Sequence, residues 1–225
     1  MNYKVCILAA GKGTRNKYAV VNKALLPLGN GTALSYIIDK FPEQEIVLAV
    51  GYYAEQVKDY AERWGNRVTC VYADYEGFGR GPGYALLCCQ DELQCPFIFI
   101  ACDTIVLEEI PEPQMNWMGI NHVMERQSYL TVSEKMGLVM EVYDKGDERA
   151  THKASIGLVG VRNYKEFWEG MEKCDYLING ELQDSPGLRA LMPYGLHTKR
   201  FTWFDTGTTE GYEKTLRYFN QSIPF

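Results

Sequence analysis

The sequence predicts a three-layer α/β/α fold on a mostly parallel central sheet, and three observations predict it. Four apolar runs, Val5–Ala9, Ile46–Val50, Val68–Tyr72 and Phe97–Ala101, are too continuous for strands with one wet face. Segments of helical spacing lie between them, near 33–40, 54–64 and 83–93. The length, 225 residues, suits one domain with a substantial core. Strands alternating with helices imply a parallel sheet covered on both faces.

The first strand opens into the loop Leu8-Ala-Ala-Gly-Lys-Gly-Thr-Arg15. From about residue 118 the pattern changes. Residues 129–134 and 137–143 read as strands separated by a turn at Lys135-Met136-Gly137, and Ala154–Val161 as another apolar strand. Helices follow near 164–173 and 186–193, the second announced by Asp184-Ser185 before Pro186. A last helix starts near Thr209, with Tyr212, Leu216 and Phe219 on one face. No repeat, low-complexity tract or linker interrupts residues 1–225, which therefore read as a single domain.

With 46% hydrophobic and 23% charged residues, the composition is that of an ordinary globular protein. A formal net charge of −6 speaks against nucleic acid as a partner, though not against a nucleotide held by a local cationic cluster. No apolar run approaches the ~20 residues that span a bilayer, so no membrane partner is expected. The first strand begins at once, leaving no room for a signal peptide. Seven cysteines, without a Cys-x-x-Cys pair, read as buried free thiols of a reducing cytoplasm, with no zinc site. His122, His152 and His197 share no ligand spacing.

In the opening loop, Gly11 and Gly13 let backbone N–H groups approach an anion, and Lys12 and Arg15 add positive charge. The ligand so suggested is a polyphosphate. A dinucleotide fingerprint would need a third glycine at position 16, which is Asn, and a Walker A lysine is also absent. By itself the loop fits a tight strand–helix turn equally well. Lys23, eight residues beyond Arg15, is by itself an ordinary solvated lysine. Asp103 is more telling. It ends the run from Phe97 to Cys102, at the carboxyl edge of a central strand, where open parallel sheets bind ligands. A carboxylate there must be hydrated, paired or bound to a cation. Asp205 offers a second carboxylate, and two carboxylates with phosphate oxygens suit magnesium.

Taken together, residues 8–15, Lys23 before Leu26-Pro27-Leu28, Asp103 after a strand, and Trp203-x-Asp205-Thr-Gly-Thr208 resemble the sugar-phosphate nucleotidyltransferases. Asp144-Lys145 stands where that family carries Glu-Lys-Pro, Lys145 being twelve residues before Gly157, and Gly180-Glu181-Leu182 with Asp184 matches a further segment. The resemblance covers nearly the whole chain. It implies a Rossmann-like nucleotidyltransferase fold, with a nucleotide-binding half at about 1–117 and an acceptor-binding half at about 118–225. It implies an enzyme joining a nucleoside triphosphate to a phosphorylated sugar or polyol and releasing pyrophosphate. Ala10, Gly11, Gly13, Thr14 and Arg15 would cradle the triphosphate, and Lys23 would meet the phosphates being displaced. Asp103 and Asp205 would hold Mg2+, Lys145 the acceptor phosphate, and Glu181 the sugar hydroxyls. A homodimer is a further expectation of the resemblance.

Base reading falls to the loop 75–84, where relatives place a glutamine five residues before a glycine and this chain has Glu76 before Gly81. A carboxylate only accepts hydrogen bonds, which favours cytosine over uracil; CTP and UTP are the expected triphosphates. Arg80 meets the triphosphate or is a solvated loop cation. Lys153 competes with Lys145 for the acceptor phosphate, because Gly146 replaces the family's proline. Tyr84, Tyr129 and Trp203 are candidate pocket aromatics. Two other functions remain open. A nucleotide-sugar-dependent glycosyltransferase usually needs Asp-x-Asp, which Asp103-Thr104-Ile105 lacks, and a silent sugar-nucleotide-binding module has no need of both carboxylates.

Overall fold

The computed structural model describes residues 2–18 and 20–221. The first half runs β1 (Lys4–Ala9), a small hairpin of β2 (Pro27–Leu28) and β3 (Gly31–Thr32), α1 (Ala33–Asp39), β4 (Glu45–Val50), α2 (Ala54–Ala61), β5 (Val68–Tyr72), α3 (Pro82–Cys88), β6 (Phe97–Ala101) and β7 (Thr104–Val106). The second runs β8 (Asn116–His122), β9 (Thr131–Lys135), β10 (Leu138–Tyr143), β11 (Lys153–Val161), α4 (Tyr164–Glu172), α5 (Ser185–Leu191), β12 (Leu196–Arg200), β13 (Trp203–Asp205) and α6 (Thr209–Gln221).

Nine strands form one sheet in the order β5-β4-β1-β6-β11-β8-β12-β10-β9. The four strands expected from the apolar runs make its parallel half, and β11 then pairs antiparallel with β6. Period two sorts each strand between two cores. Val5 and Ile7 join Ile98 and Ile100 beneath α1 and α2, where Leu34, Ile37 and Val57 are buried. On the other face Cys6, Phe97 and Phe99 pack against Leu86 of α3, Phe167 of α4 and Leu188 of α5. Burial on both sides explains why these strands read as unbroken apolar runs. The exception is β5, the edge strand, whose Tyr72 is 58% exposed rather than buried.

Several elements are shorter than expected. The helical segment near 83–93 is α3 followed by a separate 3-10 turn, Gln90–Leu93, and α2 gives way to a 3-10 stretch, Glu62–Arg67, across the non-helical Gly65. Only Cys6, Cys89 and Cys102 are fully buried; the other four thiols, free as expected, are partly exposed. Among the described residues no helix is long and apolar enough to cross a membrane.

Candidate active site

β1 ends at the carboxyl edge of the sheet and releases the glycine loop there, while β6, its neighbour, delivers Asp103 two residues past its end. The loop is not a strand–helix turn. It runs on to a 3-10 turn at Lys23–Leu25, so no α-helix follows it directly in the chain, and an anion there would be met by its N–H groups and cations. Of its glycines Gly13 alone takes the left-handed conformation, with φ of 67°, which a side chain would resist.

Two asparagines hold this loop. The Asn16 side chain is buried and donates to the Thr206 carbonyl at 2.9 Å, tying the loop to the segment that carries Asp205. Asn22 is fully buried; its amide donates to the carbonyls of Ala9 (2.8 Å) and Tyr52 (2.6 Å) and its Oδ1 accepts from the Ala24 N–H. Asn22 thus caps the turn that aims Lys23. Asn22→Ala removes three hydrogen bonds, two of them buried, and is expected to cost about 2–4 kcal/mol of stability in urea unfolding. A loss below about 0.5 kcal/mol would make the cap dispensable.

Lys23 is not the solvated residue it resembles in isolation. Its Nζ donates to Asp103 Oδ2 at 2.6 Å, with side chains only 16% and 12% exposed. Burial works against both charges, but the opposite charge outweighs it, so Lys23 is held above the usual ammonium range and Asp103 below the usual carboxylate range. Asp205 arrives because β13 pairs antiparallel with β7, opposite Thr104, and Thr206 N–H donates to the Asp103 carbonyl at 2.9 Å. Burial, and then the negative charge of Asp103, raise the pKa of Asp205. Gly207 lies between the two carboxylates: a Cβ there would collide with Asp103 Oδ2 and stand 2.9 Å from Asp205 Oδ1.

These groups open on one cleft of about 490 Å³. Ala10, Gly11, Gly13, Thr14, Arg15 and Lys23 line it, with Asp103 and Asp205. So do Gly81, Lys145 and Glu181. Lys145 follows β10 on a loop pinned at both sides, by Arg189 Nη2 donating to Asp144 Oδ2 (2.6 Å) and by Gly146 N–H donating to the Gln127 carbonyl (2.9 Å). Glu181 sits beside the glycine-rich loop through the bridge Gly79–Glu181.

Three residues singled out in the sequence do not line the cleft. Glu76 is instead ion-paired with Lys12 at 2.6 Å, Lys153 with Glu134 at 2.7 Å, and the Tyr84 ring lies under the Arg80 guanidinium at 4.0 Å. Glu76 and Lys153 are drawn off by partners remote in sequence, which spacing does not reveal. Conversely Asp74, Gln183 and Asp184 line the cleft. Asp184 precedes α5 as expected but makes no capping hydrogen bond, and its burial raises its pKa. Tyr129 and Trp203 do line the cleft, with their rings edge to face at 6.0 Å.

Among the described residues no cluster of three or more His, Cys, Asp or Glu side chains could hold a metal. A cation here would rely on two carboxylates plus oxygens from water and ligand, the donor set of a hard ion such as magnesium. The room kept free by Gly207, and the mutual repulsion of Asp103 and Asp205, fit that ion.

Residues 5–110 match the model of the MobA-like NTP transferase domain. No curated protein matches by sequence. Among solved structures, UDP-glucose pyrophosphorylase complexed with UDP-glucose superposes with a TM-score of 0.83 at 19% identity, over 99% of this chain and 100% of that one. A Bacillus anthracis protein assigned as a glucose-1-phosphate thymidylyltransferase gives 0.81 at 18% identity, over 99% and 96%. CTP:phosphocholine cytidylyltransferase from Streptococcus pneumoniae gives 0.76 at 17% identity, over 97% and 99%. At such identities the structural likeness is one of fold. Residues 5–110 thus resemble the MobA-like NTP transferase domain, and over nearly its whole length the chain shares the Rossmann-like fold of these solved nucleotidyltransferases.

Proposed function

We propose that the protein is a nucleotidyltransferase that joins a pyrimidine nucleoside triphosphate to a sugar phosphate, or a related phosphorylated small molecule, and releases pyrophosphate. One observation carries this reading: the glycine loop, the Lys23–Asp103 pair, Asp205 and Lys145 share a single cleft. An oxygen of the acceptor phosphate attacks the α-phosphorus, a new P–O bond forms, and the bond from the α-phosphorus to the β-phosphate oxygen breaks. Both reactants are polyanions, so neutralising and orienting them supplies most of the rate. Residues 10–14 offer N–H groups to the triphosphate, and Arg15 and Lys23 meet the charge that grows on the departing pyrophosphate. Asp103 holds Lys23 in place and keeps it protonated. Lys145 takes the acceptor phosphate, and Glu181 accepts from the acceptor's hydroxyls. Magnesium, held by Asp103 and Asp205, would supply further positive charge at the phosphates.

The test is pyrophosphate release from each of the four nucleoside triphosphates over a panel of sugar and polyol phosphates, with magnesium and after chelation. Activity lost on chelation and restored by magnesium is expected. Glycosyl transfer from a ready-made nucleotide sugar, without pyrophosphate, would replace this reading with a glycosyltransferase. The two lysines separate in the same assay. Lys145→Met is expected to raise KM for the acceptor about tenfold or more, whereas Lys153→Met, which only frees Glu134, changes it by less than about twofold. The reverse pattern would transfer the acceptor phosphate to Lys153.

A further inference from the structure

The cleft has a second charged pair, away from Lys23 and Asp103. Asp74 lies two residues past the end of β5, at the far side of the parallel half from β6, and Arg80 precedes α3. Both line the cleft. The Arg80 guanidinium stacks on the Tyr84 ring at 4.0 Å, and its Nε stands 3.5 Å from Asp74 Oδ2, an ion pair without a hydrogen bond. That Nε is buried and makes no hydrogen bond at all. Asp74 Oδ1 accepts from the Glu76 N–H at 3.2 Å, so a donor-only and an acceptor-only group stand side by side, oriented by a ring stack and a turn, with the Arg80 Nε and Asp74 Oδ2 capacity unspent. Glu76, two residues past Asp74, is 63% exposed and engaged by Lys12.

The strand order gives this wall its place. β1, carrying the phosphate loop, lies between β6, which leads to Asp103, and β4 with β5, which lead to Asp74. A triphosphate whose reacting end meets Lys23 and Asp103 has its nucleoside directed towards β5. We infer that Asp74 and Arg80, rather than Glu76, read the base, and that this pair selects cytosine over uracil; the inference rests on the nucleotidyltransferase reading above. Cytosine sets an amino donor next to a ring-nitrogen acceptor, so Asp74 accepts from the first while Arg80 donates to the second. Uracil flanks its single N–H with two carbonyls. Bonding that N–H to Asp74 leaves a carbonyl oxygen against the carboxylate, and a misplaced lone pair of this kind is discriminated strongly in a partly buried site.

The experiment is equilibrium titration of the full chain, with magnesium, by CTP, UTP and inorganic tripolyphosphate. The wild-type chain should bind CTP about tenfold or more tightly than UTP. Asp74→Asn supplies an amide that can donate as well as accept, so the CTP/UTP ratio should fall to within about threefold, with no weakening of tripolyphosphate. Arg80→Lys keeps the charge but loses the planar fork, and should weaken CTP more than tripolyphosphate. An unchanged ratio in Asp74→Asn, a ratio that shifts in Glu76→Gln instead, or a wild-type preference for UTP would overturn the assignment. Equal losses for CTP and tripolyphosphate in Arg80→Lys would move that residue to the phosphates and overturn the pair. Failure of the wild-type chain to bind any of the three would defeat the nucleotidyltransferase reading itself, a result distinct from binding without base selection.

Discussion

Asp103→Asn is expected to lower turnover by about 1,000-fold or more, with the fold retained. The residue serves two purposes at once: it is one of two carboxylates available to a metal, and its Oδ2 holds the Lys23 ammonium at 2.6 Å. Removing one well-placed charged partner of a transition state costs roughly 3–4 kcal/mol, and here two contributions fall together. Stability also falls, because Lys23 is left as a poorly compensated charge. Breaking a buried pair costs about 3–5 kcal/mol, a figure the water of the adjoining cleft reduces. A double variant separates the effects. Lys23→Met added to Asp103→Asn removes the stranded charge, so part of the lost stability should return in urea unfolding while pyrophosphate release stays at the level of the single variant. Near-wild-type turnover in Asp103→Asn would dismiss the carboxylate from the chemistry, and an additive loss of stability in the double variant would deny the pairing.

The sequence reports best on what local chemistry repeats. β1, β4 and β6 are legible because their two faces are both buried, which leaves a run with no polar interruption. β8 and β12 are not: Leu196-His-Thr-Lys-Arg200 is paired with β8 and β10, yet beyond the buried Leu196 its residues are polar and at most partly buried. The three-residue pairing of β7 with β13 is shorter than any periodicity can signal, and it is this pairing that sets Asp205 beside Asp103. Lys23 shows the same limit. Nothing in Asn22-Lys23-Ala24 marks it as buried, because its burial follows from Asn22 reaching the carbonyls of Ala9 and Tyr52, the latter 30 residues away. The glycine loop stands out in composition alone, although only Gly13 uses the freedom that both glycines have. That Lys145 and Glu181 line the cleft is legible in the sequence; the pairing of Lys153 with Glu134 across two strands is not.

Gly207→Ala is the substitution that tests the space between the carboxylates rather than the carboxylates themselves. Gly207 does not have a positive φ, so its backbone can accept alanine without strain. The added methyl group would meet Asp103 Oδ2 and Asp205 Oδ1 and fill the room a cation needs, while every charged group stays in the chain. Its contact with Asp103 falls on the oxygen that bonds Lys23, so relieving it also draws Asp103 off the ammonium. Turnover should drop about 100-fold or more, with the magnesium concentration at half-maximal rate displaced upwards, and with far-UV circular dichroism unchanged. Asp205→Asn supplies the comparison. It leaves the space open and removes charge, so it should weaken magnesium dependence without disturbing the Lys23–Asp103 pair. If Gly207→Ala kept its rate within about threefold and its magnesium requirement unaltered, the two carboxylates would not be sharing an ion. Neither a shared ion nor the Asp103–Lys23 contact would then limit the rate, and the cations of the loop and the lysines would have to neutralise both phosphorylated substrates by themselves.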